Sequence, residues 1–146
     1  MRIFFKITFF FCIFLLSSCN KELTQEPSIN ANETFWFENN NAQMPVRVRG
    51  NTASKTLILM LHGGPGASAS LYIPNFSRLE EEFAVVYWDQ RNSGKSQGTM
   101  NAAQMNINTF VEDVHKLLTV LKVRYGNNVS IFLMGHSWGG LLGSAY

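Results

Sequence analysis

The residues best suited to chemistry surround Ser137, in the segment Gly135-His136-Ser137-Trp138-Gly139. This G-x-S-x-G pattern is typical of a nucleophilic serine on a sharp turn between a strand and a helix. Such a turn needs small residues two positions to either side of the serine, and glycines occupy both positions. The pattern therefore predicts Ser137 as a nucleophile, and a glycine-rich turn with an incidental serine is the alternative.

A second glycine-rich motif consists of His62, Gly63, Gly64, Pro65 and Gly66. Acyl transfer creates an oxyanion, which backbone N–H groups stabilise well. We expect one donor from Trp138, directly after the nucleophile, and the other from Gly64 or Gly63. Glycine lets the backbone approach a substrate closely, and His62 is expected to orient this loop. Taken alone, the loop could also be a purely structural turn.

Apolar patterning indicates the elements that must hold these two motifs. Unbroken apolar runs predict strands covered on both faces, at 56–61, 84–88 and 129–134. Short runs predict two further strands, at 35–37 and 44–49. Helices are expected over 74–82, over 110–125 and from 140 onward. Because strands and helices alternate, the chain is expected to adopt an α/β fold with a parallel sheet.

The helix over 110–125 carries the clearest end signals. Thr109 and Glu112 have capping-box spacing, and Gly126 is well placed to end the helix. Asp113 and His115 are expected on its polar, solvated side.

A third motif, Asp89-Gln90-Arg91-Asn92-Ser93-Gly94-Lys95-Ser96, follows the run 84–88. The three motifs together resemble the α/β-hydrolase superfamily, and within it the proline iminopeptidase-like serine peptidases, over about residues 35–146. The resemblance implies the α/β-hydrolase fold, a mostly parallel sheet with helices on both faces. It also implies a serine hydrolase that works through an acyl-enzyme, with Ser137 as nucleophile and an oxyanion hole from Trp138 and Gly64. No cofactor or metal ion is expected.

Two residues depart from the family pattern. Asn92 stands where the family usually has glycine, and asparagine tolerates a left-handed backbone better than other residues, so the turn can survive. His136 stands where the peptidases often have glycine, and histidine is common there in esterases. A carboxylesterase or another amide or ester hydrolase is therefore the alternative to an aminopeptidase.

The order of the residues bears on the remaining catalytic groups. In this superfamily the acid and then the histidine follow the serine, whereas all three histidines of this chain precede Ser137. Asp89, Gln90 and Arg91 are accordingly expected to brace their loop, and His136 is expected to be structural. We expect the fold to be truncated after the nucleophile elbow and the chain alone to be inactive, with the acid and base in an intact parent. The alternative to an enzyme is a catalytically inactive lipoprotein that acts as a binding module.

The first residues resemble a bacterial lipoprotein signal. Two cations precede an uncharged apolar stretch that is too short to span a bilayer, and Leu16-Ser17-Ser18-Cys19 resembles a lipobox. We expect a signal peptide over 1–18, a lipid-anchored polar tether over 19–34 and the hydrolase domain over 35–146. Lipidation of Cys19 would place the protein in the cell envelope; a plain signal peptide or an uncleaved anchor is the alternative.

Charge and cysteine content narrow the partners further. The 146 residues include 12 Lys and Arg against 10 Asp and Glu, and Arg2 and Lys6 of the signal account for the surplus. The remainder is neutral and has no basic stripe, which excludes a nucleic-acid partner. The two cysteines are Cys12 and Cys19, so none would remain in the domain for a disulfide or a metal. The expected partners are a small-molecule or short-peptide substrate and, through Cys19, a membrane.

Overall fold

A computed structural model describes residues 24–98 and 101–146; the predicted signal peptide and Cys19 lie outside these ranges. The described part forms a six-stranded sheet with three α-helices. The strands are β1 (Ala31–Asn39), β2 (Ala42–Gly50), β3 (Thr56–Leu61), β4 (Ala84–Trp88), β5 (Gln97–Gly98) and β6 (Ser130–Gly135). The helices are α1 (Ile73–Glu82), α2 (Ile107–Tyr125) and α3 (Trp138–Ala145).

The sheet is mixed, with strand order β1-β2-β4-β3-β6. Strand β3 pairs in parallel with β4 on one side and with β6 on the other, as the unbroken apolar runs predict. Strand β2 is antiparallel to β1, to β4 and to the short β5. Strands β3, β4 and β6 run in the same direction. The three motifs that follow them therefore meet at the same end of the sheet, beyond the carboxyl ends of these strands.

Helices cover both faces of this sheet, which confirms the expected layering. On one face, Leu57, Leu59 and Leu61 of β3 join a core with α2 and α3. On the other face, Met60 packs with residues of β4 and α1. Alternate residues of β3 thus enter two different cores, and burying each large apolar side chain contributes about 1.5–3 kcal/mol.

Strand β6 differs from its prediction. We expected a strand covered on both faces, but β6 pairs only with β3 among the described strands and lies at the edge of the sheet. Phe132 at its centre is 61% exposed. An apolar run does not distinguish an edge strand from a central one, since that depends on which neighbours are present.

The helix boundaries agree with the sequence within two residues, except at the start of α2. Helix α1 has a proline in its first turn, and α2 ends at Gly126, where φ is 103°. The predicted capping box is wrong, because α2 begins earlier, at Ile107. Its cap is Asn106, whose side-chain oxygen accepts the N–H of Thr109 at 3.1 Å. Among the described residues, no helix is long and apolar enough to cross a bilayer.

Candidate active site

Ser137 occupies a strained turn between β6 and α3. Its backbone has φ 53° and ψ −117°, a conformation that costs on the order of 1–3 kcal/mol and is found at functional sites. A side chain on Gly139 would collide with the carbonyl of Leu61, and one on Gly135 would collide with the backbone of Gly139. Only glycines fit these two positions, and the serine itself is exposed.

The glycine loop after β3 packs directly against this turn. A Cβ built on Gly63 would lie 2.8 Å from His136 Nδ1 and 3.2 Å from Ser137 Cβ. The N–H of Gly63 donates to the Tyr72 hydroxyl at 3.2 Å, so Gly63 is engaged and Gly64 becomes the better candidate donor. Within the described ranges, the N–H groups of Gly64 and Trp138 have no hydrogen-bond acceptor.

The remainder of the loop is held by its own turn and by the third motif. Gly64 has φ 54°, and its carbonyl accepts the N–H of Ala67 at 3.2 Å. Pro65 is exposed. Gly66 has φ 99°, and its N–H donates to the hydroxyl of Ser93 at 3.2 Å. The loop is thereby tied to the third motif.

Gln90 connects the glycine loop to the nucleophile turn. Its side-chain N–H donates to the carbonyl of His62 at 3.0 Å, and its side-chain oxygen accepts the indole N–H of Trp138 at 3.0 Å. Its backbone N–H donates to His62 Nε2 at 3.1 Å. Because Gln90 is fully buried, this one residue holds the two loops that carry the candidate oxyanion donors.

His62 is a buried neutral imidazole. Its Nδ1–H can donate to the carbonyl of Gly63 at 3.1 Å, since its Nε2 accepts from Gln90. Burial lowers the pKa of His62 below its ordinary value of 6.5, while the Gly63 hydrogen bond and the nearby Asp89 oppose the shift. The imidazole therefore fixes the loop, and its ring nitrogens are both occupied.

Asp89 organises the turn after β4. Its Oδ1 accepts the N–H of Ala69 at 2.9 Å and the hydroxyl of Ser68 at 2.8 Å, and its Oδ2 accepts the N–H of Lys95 at 2.9 Å. The turn requires a left-handed residue at Asn92, where φ is 54°, so asparagine does replace the usual glycine. These contacts brace the loop and engage both oxygens of the carboxylate.

Arg91 forms a buried ion pair with Asp113, which corrects one prediction. Asp113 was expected to be solvated, but it is 0% exposed and lies on the core side of α2. Its two oxygens accept Arg91 Nε at 2.6 Å and Arg91 Nη2 at 2.7 Å. Asn39 completes the cluster, donating its amide to Asp113 at 2.8 Å. The spacing from Phe110 and Leu117 places residue 113 on the apolar face, a signal that could have predicted its burial.

Tyr72 is a site residue that no sequence motif identified. Its hydroxyl accepts the N–H of Gly63 and lies 2.9 Å from His136 Nδ1, so it joins the loop to the residue before the nucleophile. No residue spacing in the sequence predicts the contact between Tyr72 and His136. His115 is exposed, and its Nδ1 lies 3.3 Å from the hydroxyl of Tyr146. Across 24–98 and 101–146, no three His, Cys, Asp or Glu side chains are grouped to hold a metal ion.

Residues 56–146 match the family model described as alpha/beta hydrolase fold. The chain belongs to the alpha/beta hydrolase fold family. The matched region begins at β3 and contains all three motifs.

The chain is similar to several known proteins. It is 35% identical over 104 residues to "Probable aminopeptidase YbaC" of Bacillus subtilis (strain 168), covering 70% of this chain and 32% of that protein. It is 32% identical over 91 residues to a proline iminopeptidase of Heyndrickxia coagulans, covering 62% of this chain and 30% of the relative. A crystal structure of a proline iminopeptidase-related protein from Thermus thermophilus superposes with a TM-score of 0.67 and 27% identity, covering 79% of this chain and 39% of the other. The chain thus spans about a third of the length of its curated relatives.

Proposed function

We propose that this hydrolase uses Ser137 as a nucleophile to cleave an acyl bond. The observation that carries the proposal is the backbone of Ser137, strained at φ 53° and ψ −117° and flanked by two glycines that admit no side chain. A fold retains such strain where it positions a reacting group. The exposed hydroxyl at the end of β6 is available to a substrate.

The proposed oxyanion hole consists of the backbone N–H groups of Gly64 and Trp138. Both lack an acceptor within the described part of the chain, and Gln90 links the segments that carry them. Donors held in advance stabilise the charge that develops on the substrate oxygen without reorganising during the reaction. Losing one such donor typically lowers kcat by about 10²–10³-fold.

The proposed reaction passes through an acyl-enzyme. The Ser137 oxygen attacks the substrate carbonyl carbon while a general base takes its proton, and the carbonyl oxygen becomes an oxyanion held by the two N–H groups. The oxyanion then collapses, the leaving amine or alcohol departs with the proton, and water hydrolyses the ester on Ser137. In this superfamily the acid and the base follow the nucleophile in the chain, so the full-length protein is the material for the assay.

A fluorophosphonate probe tests the nucleophile. The full-length protein should be labelled, and Ser137→Ala should abolish the label. Ser144→Ala is the matched control, because Ser144 is an exposed serine of the same short helix whose hydroxyl donates to the carbonyl of Gly140. Labelling that survives Ser137→Ala, or that is lost in Ser144→Ala, would contradict the proposal. A folded full-length protein that takes no label would favour the inactive binding module.

We further propose an aminopeptidase of the proline iminopeptidase type. The proposal is supported by the two relatives named as an aminopeptidase and a proline iminopeptidase, at 35% and 32% identity. Prolyl p-nitroanilide and an N-blocked form of the same compound distinguish an aminopeptidase, because only the free amine should be cleaved. Preference for a simple p-nitrophenyl ester over both would favour a carboxylesterase instead.

Finally, we propose that Cys19 is lipidated and anchors the protein in the cell envelope. The support is the apolar stretch followed by Leu16-Ser17-Ser18-Cys19. A radiolabelled fatty acid should be incorporated into the wild-type protein and not into Cys19→Ala, which should also lose membrane attachment. Equal attachment of the two proteins would contradict this assignment.

A further inference from the structure

Residues 25–28, here called the latch, are fastened to the domain by backbone hydrogen bonds. The N–H of Gln25 donates to the carbonyl of Arg124 at 2.6 Å. The N–H of Thr52 donates to the carbonyl of Ser28 at 2.7 Å, and the N–H of Ser28 donates to Thr52 Oγ1 at 2.8 Å. A segment whose composition indicated a polar tether is thus held at both of its ends.

Side chains next to the latch strengthen the attachment. Strand β1 follows the latch and begins at Ala31, before the predicted start of the domain at residue 35. Glu33 of this strand accepts the hydroxyl of Tyr125 at 2.6 Å and forms an ion pair with Arg124. The Arg124 guanidinium also lies over the ring of Phe35, 4.6 Å from its centre. The end of α2 therefore binds both the latch and the first strand.

The latch lies at the end of the sheet opposite to Ser137. Thr52 precedes the first residue of β3, and Arg124 precedes the first residue of β6. Gly63 and Ser137 follow the last residues of the same two strands. Each strand has 6 residues, and at about 3.3 Å per residue the two ends are separated by roughly 20 Å.

We propose that the latch fixes the orientation of the domain on its own bilayer, with Ser137 facing away from the membrane. The inference rests on the proposed lipidation of Cys19. Five residues separate Cys19 from Gln25, and the six Cα-to-Cα steps between them span at most about 21 Å when fully extended. With the latch closed, the end of the sheet that carries Thr52 and Arg124 is held nearest the lipid.

This orientation narrows the substrate class. Substrates reach Ser137 from the aqueous side and are water-soluble, such as short peptides or small esters. Acyl groups of the protein's own bilayer lipids are not presented to the nucleophile. The inference thereby favours a peptidase or soluble-ester hydrolase over a lipid hydrolase.

Exposed apolar side chains, among them Leu71 and, in α3, Leu141, favour the opposite orientation. Leu71 is 68% exposed on the segment that follows the glycine loop, at the end of the sheet where Tyr72 contacts His136. If this side chain entered the bilayer with the latch closed, the five-residue linker would have to run fully extended along the whole sheet. The latched geometry therefore disfavours insertion through Leu71.

A pair of single-cysteine probes tests the orientation. Lys95 is exposed in the turn after β4, at the end of the sheet that carries Ser137, and Asn127 is exposed in the turn before β6. Once Cys19 is lipidated and the signal removed, Lys95→Cys and Asn127→Cys each carry one free thiol among residues 19–146, and any cysteine elsewhere in the full-length protein is replaced by serine. The fluorophore-labelled full-length lipoproteins are reconstituted into vesicles that contain nitroxide-headgroup lipid. We expect a larger fractional loss of fluorescence at position 127 than at 95; equal loss, or a larger loss at 95, overturns the proposal.

Variants of the latch show whether it sets the orientation. Gln25→Pro removes the N–H that bonds Arg124, and Thr52→Val removes the hydroxyl that bonds Ser28. Together they should reduce the difference between the two probes, whereas Gln25→Ala with Thr52→Ser retains these bonds and should preserve it. An unchanged difference in the first pair would show that the latch does not control orientation. Failure of the wild type to attach to vesicles, with Cys19→Ala behaving identically, would instead refute the anchor.

Discussion

The buried ion pair between Arg91 and Asp113 gives the sharpest test of how this fold is held together. The two side chains are 3% and 0% exposed, and two hydrogen bonds of 2.6 and 2.7 Å join them. Asp113→Asn keeps the shape of the side chain but removes its charge, leaving a buried guanidinium without a counterion. Removing one partner of a buried pair costs about 3–5 kcal/mol.

That loss is large compared with the total stability of a domain, which is about 5–15 kcal/mol. With a urea dependence of about 1–3 kcal/mol per molar, the unfolding midpoint should fall by roughly 2 M. Urea titrations followed by tryptophan fluorescence and by circular dichroism provide the measurement. Glu112→Gln is the matched control, because Glu112 is exposed and contacts Asn40 at 3.1 Å; we expect a change below about 0.5 kcal/mol.

A double variant separates the loss of the ion pair from the cost of burying an unpaired charge. Arg91→Met with Asp113→Leu removes both charges, so it should be less destabilised than either single change. It should still fall short of the wild type, because the amide of Asn39 loses its acceptor at a cost of about 1–3 kcal/mol. Strictly additive effects, or a loss below about 1 kcal/mol for Asp113→Asn, the size typical of surface pairs, would refute this reasoning.

Three further changes test the site. Gly139→Ala should destabilise the protein by about 1–3 kcal/mol or more in urea unfolding, because the new methyl group meets the carbonyl of Leu61; a neutral effect would mean that the turn relaxes easily. Gln90→Leu leaves two hydrogen-bond partners unsatisfied, at about 1–3 kcal/mol each, and should also slow fluorophosphonate labelling; unchanged labelling would remove its positioning role. Because the pKa of His62 is lowered in the folded protein, the unfolded state binds more protons, so the free energy of unfolding should fall as the pH drops below 6.5. His62→Gln should remove that part of the pH dependence, whereas the exposed His115→Gln should retain it.

Local patterns predicted most of the elements because each depends on neighbouring residues. The apolar run 56–61 became β3, and the helical periodicity after residue 110 became α2. The start of α2 was wrong because the capping-box spacing of Thr109 competes with Asn106, which caps the helix in the structure. The side-chain oxygen of Asn106 accepts the N–H of Thr109, so Thr109 lies inside the helix and is not its cap.

The sequence by itself determined the nucleophile motif, the glycine loop and the alternation of strands and helices, since spacing and residue type encode them. Only the tertiary structure decided which residues meet. It placed Gln90 between the two loops, brought Tyr72 to His136, and buried Asp113 against Arg91. Parallel strands bring residues that are far apart in the chain to the same end of the sheet. No short-range sequence pattern predicts which of their side chains then lie within hydrogen-bond distance.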